Sequence, residues 1–139
     1  MTTRSVRIHE SSGNSWVRIG DVHLHPEECD KTYLDSYFRV HESGTEGPPQ
    51  LLEGRYLPGL KVGPRAHEFD EIVYVVEGEM VVDGHTLGPG SSLFAPAHTA
   101  YSFSVGEKGL RFVNFRPGAT TQEGAKLQRQ LQKAAELRR

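Results

Sequence analysis

Between residues 71 and 87 the chain reads EIVYVVEGEMVVDGHTL, two β-branched runs broken by Gly78 and closed by Asp83-Gly84. Asp-Gly between alternating runs is a strong two-residue hairpin signal, so this segment predicts two antiparallel strands. Residues 35–42, DSYFRVHE, alternate apolar and polar and predict another strand. The stretch 44–50, GTEGPPQ, reads as a loop because Pro48 and Pro49 lack ladder donors. A strand is expected at 52–57, ending at Pro58-Gly59, with further strands near 91–95, 100–105 and 110–116. Pro96, the run VGEKG and Arg116-Pro117-Gly118 separate them. Residues 13–25 read as irregular strand pieces broken by Gly20 and Asp21, and no helical period appears before residue 118.

The tail changes character. Thr120 with Glu123 three residues on can form a capping box, and Leu127, Leu131, Ala134 and Ala135 fall at helical spacing on one face. The pattern predicts an all-β barrel with one C-terminal α-helix. The expected organisation is a single domain over 1–139: N-terminal strands and loop to 50, a core over 51–118, and the helix over 119–139.

Composition narrows the class. With 36% hydrophobic and 24% charged residues the chain reads as soluble and globular. A formal charge of −2 offers no field for nucleic acid, and Lys126, Arg129, Lys133, Arg138 and Arg139 read as the solvated face of the tail helix. The longest apolar run, Ile72 to Val76, is too short to span a bilayer. No apolar stretch follows the first residues, and Cys29 is the single cysteine. A cytoplasmic protein without nucleic-acid or membrane partners is therefore expected.

Two motifs carry more. Residues 59–78, GLKVGPRAHEFDEIVYVVEG, place Gly59, Arg65, His67, Glu71 and Gly78 at fixed intervals. Residues 90–105, GSSLFAPAHTAYSFSV, place Gly90, Pro96, His98, Tyr101 and Val105. Together they resemble the two motifs of the cupin family, and the resemblance implies a double-stranded β-helix, or jelly-roll, barrel. It further implies a metal held by three histidines and a glutamate, at the positions occupied here by Arg65, His67, Glu71 and Tyr101. His98 stands where the second motif has its second glycine, and Val105 where it has asparagine.

Arg65 has no acceptor atom and cannot ligate a metal. Three arrangements are open: Arg65 paired with Glu71 in the old metal position; a rebuilt metal site of His67 and Glu71 with Tyr101 or His98; or Arg65 turned to solvent. His67 and Tyr101 are candidate proton-transfer groups, and metal-free cupin epimerases resemble this in using histidine and tyrosine as base and acid. Arg65, Glu71, His98, Tyr37 and Arg39 are candidate substrate-binding residues, the last two, with His41, if their strand face points inward. His23-Leu24-His25 lacks a third ligand at the family spacing, His85 follows a hairpin turn and reads as exposed, and Arg55 is an isolated candidate.

Tyr74, Ile72 and Val76 lie opposite Glu71, so this strand is apolar on both faces and needs a cover. The tail helix, the amino-terminal segment or a second subunit could supply it, and a homodimer is expected. The leading functional expectation is a small-molecule enzyme doing isomerase, epimerase, cyclase or lyase chemistry on a small polar or anionic substrate, without a cofactor. The alternatives are a non-catalytic ligand-binding or sensory cupin, and a dioxygenase-like enzyme holding one Fe, Zn, Mn or Ni ion.

Overall fold

The computed structural model describes residues 5–118, together with Ala134. Its elements are β1 (Val17–Arg18), α1 (Lys31–Leu34), β2 (Tyr37–Ser43), β3 (Gln50–Tyr56), β4 (Lys61–Arg65), β5 (Glu71–Val82), β6 (His85–Leu87), β7 (Ser92–Ala95) and β8 (Tyr101–Arg116). All strand pairs between these elements are antiparallel. They join in the order β1-β2-β3-β8-β5-β6, with β4 added to β8 and β7 to β5.

The long strands β5 and β8 turn this sheet back on itself. Ile72 to Val75 of β5 pair with Phe112 to Phe115 of β8, and past two register shifts Met80 and Val81 pair with Val105 and Ser104. Bulges of this kind bend both strands of a pair. At the bend Gly78 has φ +79°, and a Cβ there would lie 2.0 Å from the carbonyl oxygen of Gly109. Only glycine permits that approach. The two halves then close on one core, in which Val62, Val73, Val75, Met80, Phe103, Val105, Leu110 and Phe112 pack with Tyr56 and Leu60. Tyr56 is central: its ring stacks on Phe103 at 6.2 Å and meets Phe112 edge-on at 4.9 Å.

Alternation assigns the faces. Glu71, Val73 and Val75 point inward and are buried, whereas Ile72 and Tyr74 point outward and are 46% and 48% exposed. On β8 the inward set is Leu110, Phe112, Asn114 and Arg116. The Asp83-Gly84 turn joins β5 to β6 as expected, both residues having positive φ.

Three features differ from the sequence expectation. The strands foreseen at 100–105 and 110–116 are one continuous β8, in which residues 106–109 bulge between the Val105–Met80 and Leu110–Gly78 pairs, with Gly109 at φ +73°. Strand β4 was not foreseen; of its residues only Val62 is buried, so it carries little hydrophobic signal. Helix α1 is one turn, too short to show a period, and starts where the Asp30 side chain accepts the Thr32 N–H at 3.2 Å. The helix expected over 119–139 lies outside the described residues, but Ala134 packs against the cluster of Val17, Val40 and Leu52. No helix among the described residues is long and apolar enough to cross a membrane.

Candidate functional site

The register of three neighbouring strands builds the site. Gln50 of β3 lies opposite Arg116 of β8, and one step beyond the Ile72–Phe115 pair Glu71 of β5 flanks Arg116 on the other side. All three side chains are inward and buried, Glu71 at 1% exposure. Arg116 donates its Nε–H to Glu71 Oε2 at 2.5 Å and an Nη1–H to Gln50 Oε1 at 3.1 Å. Gln50 is turned for this by donating its own amide to the Ser43 carbonyl at 3.1 Å. The second Glu71 oxygen, Oε1, accepts the hydroxyl of Tyr101. One carboxylate thus holds a guanidinium on one oxygen and a phenol on the other.

His67 completes the group from the loop after β4. Its Nε2 lies 3.1 Å from Arg116 Nη2 and 3.5 Å from Glu71 Oε2. A guanidinium only donates, so Nε2 accepts and the ring hydrogen sits on Nδ1. The loop is pinned to the start of β8: His98 N–H donates to the His67 carbonyl at 2.8 Å, and Ala97 N–H to Asp70 Oδ1 at 2.8 Å. His98 makes this bond at φ +60°, the left-handed conformation that a glycine would take without strain.

The electrostatics follow from burial and from Arg116. Burial alone would raise the Glu71 carboxyl, but the Arg116 charge and hydrogen bonds from Tyr101 and Asn114 bring it below the ordinary range. Burial and the neighbouring Glu71 raise the Tyr101 phenol, which therefore stays protonated. Burial, then the positive charge of Arg116, lower the His67 imidazole, which is uncharged at neutral pH. The site is an ionised carboxylate feeding on donors, with two neutral proton-bearing groups at its edge.

Of the residues singled out in the sequence, His67, Glu71 and Tyr101 are brought together. The expected Arg65–Glu71 pair is not formed: Arg65 is exposed, opposite Tyr101 across the β4–β8 ladder, and Arg116 takes the carboxylate instead. Arg65 nevertheless lies near enough for its charge to act on Tyr101 and His67. His98 contributes its backbone, while its side chain is exposed. Tyr37 and Arg39 do not face the site. Phe38 and Val40 take the inward positions of β2, leaving Arg39 on the outer face, bonded to Glu53 at 2.7 Å, and Tyr37 opposite Arg55. His41 joins the same Glu53 at 2.9 Å. His23 accepts the His25 N–H at 3.0 Å, and His85 is exposed. Sequence reasoning missed Arg116 and Gln50. The signal for Arg116 was present, since it shares the parity of Leu110, Phe112 and Asn114.

No family model and no curated protein matches the sequence. Solved structures do. A protein of unknown function with a cupin-like fold from Ralstonia eutropha superposes over 97% of this chain and 89% of its own, with a TM-score of 0.70 at 10% identity. The chain is a cupin by fold. KdgF from Halomonas sp. is 27% identical over 59% of this chain and 80% of its own, with a TM-score of 0.50. The polyketide cyclase RemF from Streptomyces resistomycificus is 23% identical over 70% of this chain and 84% of its own, also with a TM-score of 0.50.

The side chains at the four cupin ligand positions decide whether a metal fits. Position 65 is an exposed arginine, and the Tyr101 hydroxyl spends its hydrogen on Glu71. The two remaining donors, Glu71 Oε2 and His67 Nε2, both face the Arg116 guanidinium. A cation already occupies the point on which they converge, and a divalent ion there would meet its full repulsion. These residues do not fit a metal. Among the described residues no other group of three or more His, Cys, Asp or Glu side chains is arranged to hold one.

Proposed function

We propose that this cupin is a small-molecule enzyme in which Tyr101 and His67 move protons on a small anionic substrate. The reaction class is isomerisation, epimerisation, cyclisation or elimination. The observation that carries this reading is the shared carboxylate: Glu71 fixes the Tyr101 hydroxyl, while Arg116 fixes both Glu71 and His67. Catalytic groups need their rotamers held by such supporting bonds. Tyr101, protonated at neutral pH, carries a hydroxyl hydrogen that a basic oxygen or carbon developing in the substrate would draw away from Glu71. Uncharged His67 takes a proton on Nε2 when that nitrogen releases the Arg116 hydrogen bond it accepts at rest. Arg65, exposed beside Tyr101, supplies a permanent charge for a substrate carboxylate or phosphate. The fold is shared with a polyketide cyclase, among other proteins, and fold alone does not choose the reaction.

The test is solvent-proton exchange. The protein is incubated in deuterium oxide with a panel of small keto- and hydroxy-carboxylates, and carbon-bound deuterium is followed by NMR. Exchange or turnover that disappears in Tyr101→Phe and His67→Gln supports the reading. Tight binding of a carboxylate without exchange would make the protein a ligand-binding cupin instead. Turnover that depends on added iron or manganese would make it a metal enzyme.

A further inference from the structure

We infer that Arg116 is a built-in cation standing where cupins of the metal-binding kind hold their ion. The inference shares residues with the proposed function but does not depend on its reaction. Three observations carry it. The two motif ligands that survive, His67 and Glu71, lie side by side against one edge of the guanidinium, at 3.1 Å from Nη2 and 2.5 Å from Nε, with 3.5 Å between them. Arg116 is itself buried, at 8% exposure, and comes from the end of β8, outside both motifs. Gln50, also fully buried, anchors the guanidinium from the opposite side and is locked by Ser43.

The arrangement explains the departures from the motif as one coordinated change. With a permanent charge inside the barrel, the ligand positions at 65 and 101 have no ion to bind. Position 65 can turn to solvent, and position 101 can carry a phenol that satisfies the free oxygen of Glu71. A buried carboxylate needs a counter-charge whichever cation supplies it. A guanidinium supplies a single charge and directional hydrogens in one plane, with no open coordination position. In this barrel the cation therefore organises its neighbours by hydrogen bonding: it sets the His67 tautomer and holds the carboxylate that aims Tyr101.

The test uses cobalt as the probe, because Co²⁺ bound by imidazole and carboxylate gives a visible absorption band. The full chain, purified without a chelating tag, is titrated with Co²⁺. No band attributable to His67 is expected, and the melting temperature should be unmoved by cobalt or by EDTA. In parallel, Arg116→Lys, which keeps a cation, is compared with Arg116→Met, which removes it. The methionine variant should melt about 10 °C or more below the parent, because Glu71 is left buried and unpaired. The lysine variant should recover much of that loss, and so should Arg116→Met combined with Glu71→Gln. If Arg116→Met does not fold at all, recovery in the double variant decides the matter. A stoichiometric cobalt band in the unaltered protein that is lost in His67→Ala would overturn the inference, as would an Arg116→Met variant as stable as the parent. Deuterium exchange by Tyr101 and His67 would remain separately measurable in either case.

Discussion

Arg116 reaches across the β5–β8 ladder to Glu71, 45 residues away in sequence, and closes on its carboxylate at 2.5 Å. Which arginine neutralises Glu71 has a direct thermodynamic consequence. Glu71→Gln strands the buried Arg116 charge and should cost about 3–5 kcal/mol of stability. Arg65→Ala, at an exposed position, should change stability by no more than about 0.5 kcal/mol. Urea melts of the two variants read the difference. Equal losses would mean that Arg65, not Arg116, carries the counter-charge.

Tyr101→Phe removes one hydroxyl and leaves the ring, which stacks with Phe103 at 6.3 Å. The fold should survive, while turnover of a substrate found by deuterium exchange should fall about 10²- to 10⁴-fold. His67→Gln should lose activity over the same range. A Tyr101→Phe enzyme with full kcat would remove Tyr101 from the chemistry and leave it a positioning residue for Glu71.

Much of the barrel was legible in the sequence because its signals are local. The period-2 run at Glu71–Val82 and the Asp83-Gly84 turn determine a hairpin without help from the rest of the chain. The motif positions likewise located Glu71, His67 and Tyr101 in one place. What could not be read was partnership across the sheet. Arg65 is six positions from Glu71 and was the obvious partner; Arg116 becomes a neighbour only when β8 lies between β3 and β5. Its placement beside Pro117-Gly118 also made it look like part of a turn, although its parity with Asn114 marked it as inward. Tyr37 and Arg39 show the converse: the alternation of β2 was read correctly, but the face was decided by Phe38 packing on Tyr56 and Phe112.

Acid should weaken the outer face of the sheet. Glu53 is 4% exposed; burial raises its pKa, but His41, Arg39 and Arg111 overcome this and hold it at about 2. Its folded pKa is therefore below its unfolded value, near the ordinary 4.5. The stability it contributes is complete above that ordinary value and is lost as pH falls towards 2, on the order of 2–3 kcal/mol in all. Glu42, held at about 2 chiefly by Arg7 with His9 assisting, titrates in the same window. Melting temperatures should fall between pH 4.5 and 2, and Glu53→Gln should flatten that fall. An unchanged slope in the variant would show that Glu53 is not the group responsible.

Two glycines in the same left-handed conformation should respond differently to alanine. Gly78, at φ +79°, has no room for a Cβ beside the Gly109 carbonyl, whereas Gly84, at φ +80°, has open space around it. Gly84→Ala should cost only the backbone strain, roughly 1 kcal/mol. Gly78→Ala adds displacement of the corner between β5 and β8 and should exceed 3 kcal/mol, as overpacking and strain combine. Comparable losses would mean that the corner yields.

The expected homodimer has a definite surface. Phe94, Ile72, Phe115 and Leu51 form a row of direct cross-strand neighbours over the outer face of β7, β5, β8 and β3, with Tyr74 beside them. Phe94 is 61% exposed and Phe115 42%, in addition to the outward Ile72 and Tyr74. Ala134 packs on Val17, Val40 and Leu52, the inward cluster, which places that part of the tail away from this row. A second copy is the occupant that fits: the row is apolar, and Arg111 and Glu77, 3.3 Å apart at its edge, offer both charges to a self-complementary rim. The exposed parts of these side chains amount to roughly 400 Å² per copy, taking 150–250 Å² for a whole aromatic. With the usual apolar share of an interface, the pair would bury about 1,400 Å² in total, within the range of stable complexes. Light scattering at micromolar concentration should therefore give twice the chain mass. Phe94→Asp with Ile72→Lys should give a folded monomer with an unchanged circular-dichroism spectrum. A parent protein that is monomeric throughout that range would leave the row uncovered by a second copy and sink the dimer.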